Sequence, residues 1–413
     1  MEPRESHYSR ESNPNKLFLP SGTTKKQLHQ NFIHENQQFN PHVHEYEENL
    51  SYFSFLKIFN DEFNISVGYP RSDLCHICEL LNKRECIARR SASEDEVRQI
   101  QEEQIAHWTM ADRFYATMRE AKNLDDSHLV ICCDYEKNFS LPITGVNKQY
   151  FSSDMNVYNF GIHDLRSQQT TLYFYPENFA HKGSNEINSF LMDFVSSVEN
   201  TMRHLILFMD NSCGQNKNRY MFAICQFLAS TRFETVKIIF PQPGHSFMPI
   251  DREFAILEKK RKKMDRVIKP SDWVTFLRNA KERNPFVLKY VQFPFTDDLQ
   301  TDGTPIVTVK DFKASMDPLF LSRIPVAAIR EIRFRNQTDP VVICPETNFE
   351  TPLRMYKRGF TQRNLQTRIR DAKDAYNRET FLAIRENSAN SVHTLLEYVD
   401  LPANVTFYNS IQA

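Results

Sequence analysis

The chain has 413 residues and a mass of 48.7 kDa, more than one ordinary hydrophobic core needs, so we expect two or three domains or one core with substantial flanks. Hydrophobic residues make up 40% and charged residues 25%, as in globular proteins, while only 9 glycines and the absence of a P-loop or Rossmann fingerprint exclude ATP and NAD as expected cofactors. The formal net charge is -1, so any binding of nucleic acid must come from local basic patches.

The first 45 residues are polar and rich in Asn, His, Gln and Pro, and they predict a flexible arm with weak structure. The N-terminus has no apolar signal region and the chain has no long apolar run, so we expect neither secretion nor a membrane span. The 8 cysteines include the adjacent pair Cys132 and Cys133 and do not resemble a disulfide framework. This use of cysteine indicates a reducing compartment.

Residues 46–125 predict a helical segment. Apolar residues recur at helical spacings from Tyr46 to Phe63, which indicates an amphipathic helix. A charged stretch at 91–122, with Trp108 and Phe114 among its apolar positions, indicates a long helix. Cys75, Cys78 and Cys86 lie between these two predicted helices.

Strands and helices then alternate over residues 126–269. Strands are predicted at 129–133, 158–162 and 171–175, followed by a helix from Ser184 to about Met202, a strand at 205–209, a helix at 218–229, a strand at 236–240 and a helix from Asp251. The order β-β-β-α-β-α-β-α predicts an α/β fold with an RNase H-like core, in which helices cover both faces of a mixed sheet. Strand-like pieces at 305–309, 329–334 and 341–344 and a helical tail near 391–399 predict a small C-terminal α+β appendage over residues 270–413.

The main chemical signal is a set of aspartates at predicted strand ends. Asp134 follows the strand at 129–133, Asp210 follows the strand at 205–209, and Asp251 follows the last strand of the core after a loop. Ligands of open sheets gather at the carboxyl ends of strands, so these acids predict a catalytic site for two Mg²⁺ (or Mn²⁺) ions. The alternative is that they cap helices or form turns, and Glu253 and Glu258 compete with Asp251 for the third role.

Three blocks resemble a large eukaryotic family of transposase-like proteins: 134–138, 210–218 and 244–254. Weaker similarity extends over nearly the whole chain. The last block, with Phe247-Met-Pro-Ile-Asp251, is also similar to the block that bears the third acid of mariner-type transposases, and this similarity favours Asp251 over Glu253. The resemblance implies an RNase H-like core that cleaves or transfers DNA strands. Typical members look longer at the N-terminus, so a site-specific DNA-binding module is expected to be absent.

Cys75-His-Ile-Cys78 is a C-x2-C unit that offers two thiolates to one Zn²⁺ ion, and Cys86 and His107 are available to complete a tetrahedron. The family resemblance favours His107, because related proteins pair the C-x2-C unit with a histidine about thirty residues later. The alternative is a set of buried cysteines without a metal.

Basic and polar residues beside the predicted acids suggest DNA contacts. Lys217 follows Asp210 in a polar loop, and His245 lies in the loop before Asp251, although helix capping and an ordinary loop histidine explain them equally well. The helix from Asp251 carries a run of cations that would attract DNA or serve nuclear import, namely Lys259, Lys260, Arg261, Lys262 and Lys263.

Three functions follow as hypotheses from these patterns. The first is a nuclear, transposase-derived DNA-cleaving enzyme, whose partner is DNA and not a membrane. The second is a catalytically inactive module that binds DNA or protein, and the third is an unrelated nuclease with the same core. The sequence leaves open whether the chain forms a homo-oligomer.

Overall fold

The computed structural model describes residues 4–5, 17–19, 23–39, 50–67, 75–91, 93–291, 304–336, 338–345, 347–376, 381–398, 407–408 and 411. The chain forms two compact units, residues 1–104 and 105–413, and each is described by itself. Within the described residues, no helix combines the length and the apolar character that a membrane crossing requires.

The first unit is mainly helical. Its helices are α1 (Lys25–Phe39), α2 (Tyr52–Glu62), α3 (His76–Arg90) and the start of α4 (Glu94–Lys122), and its short strands are β1 (Arg4–Glu5), β2 (Leu17–Leu19) and β3 (Ile65–Val67). Leu81 and Ala88 of α3 pack with Ile100 of α4, and the Arg84 guanidinium lies 2.7 Å from the Glu103 carboxylate. The two helices predicted between residues 46 and 125 are thus confirmed, and α3 lies between them.

Helix α1 corrects part of the predicted flexible arm. Most of residues 1–24 and 40–49 lie outside the described residues, but Lys25–Phe39 form a helix. Packing against α2 explains it: the Lys25 ammonium donates to Asn60 Oδ1 at 2.5 Å, and the His29 ring lies 5.6 Å from that of Tyr52. Contacts with a second helix stabilise a segment whose own sequence is a weak helix former.

The second unit is built on one mixed sheet of 11 described strands. Along the sheet the order is β11-β10-β7-β6-β4-β8-β9-β12-β13-β14, and β5 pairs with β6. The strands are β4 (His128–Tyr135), β5 (Phe139–Leu141), β6 (Met155–Asp164), β7 (Thr170–Pro176), β8 (His204–Met209), β9 (Thr235–Ile239), β10 (Val287–Val291), β11 (Ile306–Val307), β12 (Glu331–Arg335), β13 (Val341–Ile343) and β14 (Glu350–Pro352).

Helices pack on both faces of this sheet. They are α5 (Ser184–Ser196), α6 (Arg219–Thr231), α7 (Pro249–Arg261), α8 (Pro270–Arg278), α9 (Phe312–Met316), α10 (Gln362–Arg370) and α11 (Glu386–Leu396). Leu129 and Ile131 of β4 share a core with α5 and α6, whereas Val130 and Cys132 of the same strand share a core with α7 and α8. Because successive side chains of a strand point to opposite faces, burial on both sides explains the uninterrupted apolar run of β4.

The central pairing follows the sequence prediction of a mixed α/β sheet. Strands β4, β6 and β7 are antiparallel neighbours, and β8 and β9 add to β4 in parallel. The short strand β5 and the hairpin it forms with β6 were not predicted.

The predicted C-terminal appendage needs correction. Strand β10 pairs in parallel with β7, and β12 pairs antiparallel with β9, so strands after residue 269 extend the central sheet at both edges. The edges of a sheet expose unpaired backbone groups, and these later strands satisfy them. Residues 270–413 are therefore part of the same unit as the predicted core.

Candidate active site

Asp134 and Asp210 lie side by side where the neighbouring central strands β4 and β8 end. Asp134 is near the end of β4, and Asp210 directly follows β8. These strands are parallel, with Cys133 opposite Met209, so the two aspartates are the next residues in register. Both side chains are partly exposed, which leaves them accessible from solvent. The sequence prediction that the two acids meet at a strand edge agrees with this register.

Helix α7 brings Asp251 toward the same ends of the strands. Asp251 lies in its first turn and accepts a hydrogen bond from the Met248 backbone N–H at 2.6 Å, which caps the helix. The helix lies directly against β6 at Gly161, the residue opposite Asp134. A Cβ atom at Gly161 would lie 2.7 Å from Ile250 Cδ1, so only glycine permits this approach.

The three carboxylates interact electrostatically. Burial, followed by the negative charges of Asp210 and Asp251, raises the pKa of Asp134 to about 8. Burial also raises the pKa of Asp210, against hydrogen bonds from Asn216 and the Ser212 backbone that lower it. The pKa of Asp251 is raised by burial and by the charge of Asp210. Such mutual effects require proximity, and together they concentrate negative charge that a cation would relieve.

The geometry distinguishes Asp251 from the two competing glutamates. Glu253 forms an ion pair of 2.5 Å with Lys281, and Glu258 forms one of 2.9 Å with Arg261. Neither glutamate contributes to the raised pKa of Asp134, whereas Asp251 does. Among the described residues, Asp251 has no ion-pair partner of this kind, and it stays the candidate for the third acid.

An open cleft extends from Asp251 along α7. Its lining combines acids and lysines: Tyr135, Glu136, Lys137, Asp251, Phe254, Ala255, Glu258, Lys259 and Lys262. Glu136 is buried, and burial together with the charge of Glu258 raises its pKa to about 8, against a hydrogen bond from Asn159 that lowers it. Its Oε1 atom has no hydrogen-bond partner. No sequence motif indicated Glu136, because the burial of a single acid depends on the packing around it and leaves no pattern in the sequence.

The basic run is only partly helical. Helix α7 ends at Arg261, and Lys262 and Lys263 follow it as exposed residues. Lys259 and Lys262 line the cleft, while the Lys260 ammonium donates to the Asn279 carbonyl at 3.3 Å. Arg261 is held by Glu258. Two of the five predicted DNA-contacting cations thus lie beside the acid cluster.

Lys217 does not lie on the surface, which corrects its predicted contact with DNA. It is 1% exposed, and its ammonium donates to Asn211 Oδ1 and to the Ala327 carbonyl, both at 2.9 Å. A buried ammonium with these partners anchors the loop after β8 to a distant segment. Its neighbour Asn218 caps helix α6 by accepting from the Tyr220 and Met221 backbone N–H groups. The polar loop therefore has the capping role that the sequence left open.

Two histidines of the second unit face each other. The Nε2 atoms of His107 and His245 are 3.1 Å apart, and His245 is 8% exposed. The Gln242 side-chain amide lies 3.1 Å from His107 Nδ1, and Tyr115 donates to the His245 carbonyl at 3.2 Å. Ligands about 2.0–2.1 Å from one zinc ion are separated by roughly 3.3 Å, and an outer residue usually orients each ligating histidine. The Nε2–Nε2 distance fits this spacing, and Gln242 is such an outer residue for His107.

The described residues contain one group of at least three His, Cys, Asp or Glu side chains whose ligand atoms all lie within 4.8 Å of one another. It consists of Cys75, Cys78, His107 and His245, all buried. Such a Cys2His2 cluster could bind a metal such as zinc. It includes the predicted ligands Cys75, Cys78 and His107. Cys86 is exposed and outside the group, and His245 takes the fourth position, in place of the predicted DNA contact.

Comparison with known protein families gives a match to the middle of the chain. A family described as "Domain of unknown function (DUF7869)" matches residues 150–292. The matched part contains Asp210, His245 and Asp251 but not Asp134. No curated protein matches the chain. The match therefore identifies similarity over the middle of the second unit and carries no activity.

Proposed function

We propose that this chain carries a metal-dependent phosphoryl-transfer site that cleaves or joins DNA strands, with Asp134, Asp210 and Asp251 as the metal ligands. The observation that carries the proposal is the placement of Asp134 and Asp210 side by side on the neighbouring parallel strands β4 and β8, with Asp251 on the helix that packs against Gly161 opposite Asp134. Isolated carboxylates in a burying environment are unfavourable unless a cation compensates them. Their oxygen atoms are the hard ligands that Mg²⁺ and Mn²⁺ prefer.

We propose further that the central sheet forms an RNase H-like core. In support of this, β4, β6 and β7 are antiparallel neighbours, and β8 and β9 add to β4 in parallel. The three sequence blocks that resemble transposase-like proteins contain the three aspartates. The basic run at 259–263 would then serve DNA contact and nuclear location together.

In the proposed reaction, the aspartates and the lysines have separate roles. When bound, the metal ions activate the attacking water or hydroxyl and stabilise the leaving oxygen. Asp134 and Asp210 offer carboxylates from adjacent strands, and the cap that Asp251 forms with Met248 fixes its orientation. Lys259 and Lys262 would hold the phosphate backbone in the cleft that leads away from Asp251.

A catalytically inactive DNA- or protein-binding module is the second candidate. One observation favours it: among the described residues, the three aspartates do not form a group with all ligand atoms within 4.8 Å of one another. An inactive module would keep the basic cleft without a working metal site.

A nicking assay on supercoiled DNA separates the two candidates. With Mg²⁺, the wild-type protein should nick the plasmid, and Asp134→Asn, Asp210→Asn and Asp251→Asn should each reduce nicking to background. Asp164→Asn is the matched control. Asp164 is the last residue of β6, which runs antiparallel to β4, so it lies toward the other end of the central strands, and it accepts a hydrogen bond from the Arg166 backbone N–H at 2.9 Å. Wild-type protein that binds DNA but never nicks it would favour the inactive module.

We also propose that Cys75, Cys78, His107 and His245 hold one structural Zn²⁺ ion. Two thiolates and two imidazoles are a ligand set that zinc prefers, and the complete set leaves no position for a reacting water. Zinc here would contribute to folding and not to the chemistry at the aspartates.

A further inference from the structure

Lys182 lies in the loop that connects β7 to α5, and contacts on several sides hold its ammonium in a fixed position. The ammonium donates to Asn138 Oδ1 at 3.0 Å and lies 4.6 Å from the centre of the Tyr135 ring and 5.7 Å from that of Tyr158. Asn138 is itself oriented by a hydrogen bond of 3.0 Å to Asn156 Oδ1. Two aromatic rings and an oriented amide therefore hold the cation, which reduces the entropy that a bound anion would otherwise have to offset.

This ammonium lies beside the acid cluster without forming an ion pair with it. Tyr135, whose ring supports it, directly follows Asp134. Burial raises the pKa of both aspartates, and the charges of Asp210 and Asp251 also raise that of Asp134, whereas the charge of Lys182 lowers the pKa of Asp134 and of Asp210. Among the ion pairs of 4.0 Å or less between the described residues, none joins Lys182 to either aspartate. The cation is close to the two aspartates but not bound to them.

Two other lysines illustrate how this fold holds a purely structural cation. Lys289 lies 2.5 Å from Asp193 and over the Tyr173 ring, and Lys281 lies 2.5 Å from Glu253 and over the Phe286 ring. In both cases a carboxylate neutralises the ammonium directly. Lys182 has the same aromatic support, but its hydrogen-bond partner is the neutral Asn138 amide. Its positive charge is therefore available to a ligand at the acid cluster.

A phosphodiester is the ligand that fits this arrangement. A substrate bound by metal ions at the aspartates would present anionic oxygens at the edge of the site, and an ammonium contacts such oxygens as a point charge with three donors. Lys217, the lysine that the sequence indicated for this role, is buried and bonded elsewhere. We propose that Lys182 binds the phosphate of the DNA on which the Asp134–Asp210–Asp251 site acts. This inference rests on the proposed function.

The test measures DNA binding without turnover. A short fluorescein-labelled duplex is titrated in Ca²⁺ in place of Mg²⁺, at several salt concentrations, with wild-type protein and with Lys182→Met and Lys182→Arg. Losing one charged phosphate contact should weaken affinity by about tenfold and flatten the slope of log affinity against log salt by about 0.9. Lys182→Arg keeps the cation and should retain most of the affinity and the wild-type slope.

Lys289→Met is the control, because it removes another ammonium that lies over an aromatic ring but is buried and paired with Asp193 instead of the acid cluster. It should alter thermal stability but leave the salt slope unchanged. A folded Lys182→Met protein with wild-type affinity and slope would overturn the inference. Failure of the wild-type protein to nick DNA would instead overturn the proposed catalysis, and a flattened slope for Lys182→Met would still support the phosphate contact.

Discussion

Replacing Asp134 with Asn should stabilise the metal-free protein at alkaline pH. Asn keeps the shape of the side chain and the oxygen that accepts from the Tyr135 backbone N–H at 2.7 Å, but it carries no charge. In the wild-type protein, burial and the charges of Asp210 and Asp251 raise the pKa of Asp134 from 3.8 to about 8. The ionised carboxylate therefore opposes folding, and the substitution removes that cost.

The magnitude follows from proton linkage. At about 1.4 kcal/mol per pH unit, a rise from 3.8 to about 8 corresponds to an upper limit of about 6 kcal/mol. Asp134 is partly exposed, and water screens part of this effect, so we expect about 2 kcal/mol. The folded-state pKa lies above the unfolded-state value, so the free energy of unfolding should fall as pH rises from about 4 to about 8.

Urea unfolding in EDTA at several pH values between 4 and 9 measures this effect, with about 2 kcal/mol as the expected gap at the alkaline end. Wild type and Asp134→Asn should have similar free energies of unfolding near pH 4 and diverge above it. Added Mg²⁺ should reverse the order, because only the wild-type site retains all three carboxylates. Parallel pH curves for the two proteins, or a variant that is less stable than wild type at high pH without metal, would refute the electrostatic reasoning.

Three further predictions concern the cysteines, the basic run and Lys217. Metal analysis of the purified protein should find about one zinc ion, lost in Cys75→Ser and kept in Cys86→Ser, because Cys86 lies outside the cluster; folded protein without zinc would end this idea. Replacing the four lysines of 259–263 with Gln should flatten the salt slope of DNA binding by roughly 2 to 4, which corresponds to the loss of about two to four phosphate contacts. A change of cellular location with an unchanged slope would leave nuclear import as the only role. Lys217→Met should lower the free energy of unfolding by about 1–3 kcal/mol, because Asn211 and the Ala327 carbonyl lose their partner, and a fully stable variant would contradict the anchoring role.

Local sequence patterns predicted the ends of the two strands that carry Asp134 and Asp210. Asp134 and Asp210 each follow an apolar run, and a run buried on both faces ends where polar residues resume. Each strand end can therefore be predicted from its own apolar run, without knowledge of the strand that pairs with it. Asp251 needed the family resemblance, because a loop separates it from β9.

Contacts between distant segments could not be predicted in this way. Lys182 reaches the acids only because the loop before α5 folds back over Tyr135, and no motif marks it. Lys217 resembles a surface cation in a polar loop, and only its bond to the Ala327 carbonyl, 110 residues away, reveals that it is buried. His245 pairs with His107 across 138 residues, so the sequence offered Cys86 as an available ligand and left the fourth position open.

The contact at Gly161 bears on the size of ion that the aspartates would accept. Strand β6 holds Gly161 opposite Asp134, and the missing side chain lets Ile250 and Phe254 of α7 lie against the strand. The distance between Asp134 and Asp251 is thus determined by how closely a helix approaches a backbone. Mg²⁺ requires ligands at about 2.0–2.1 Å in near-octahedral geometry, whereas Ca²⁺ accepts a wider and more irregular shell. A Gly161→Ala substitution would add one methyl group and push α7 away from β6. We therefore expect it to shift the selectivity of the site from Mg²⁺ toward Ca²⁺, although all three carboxylates remain.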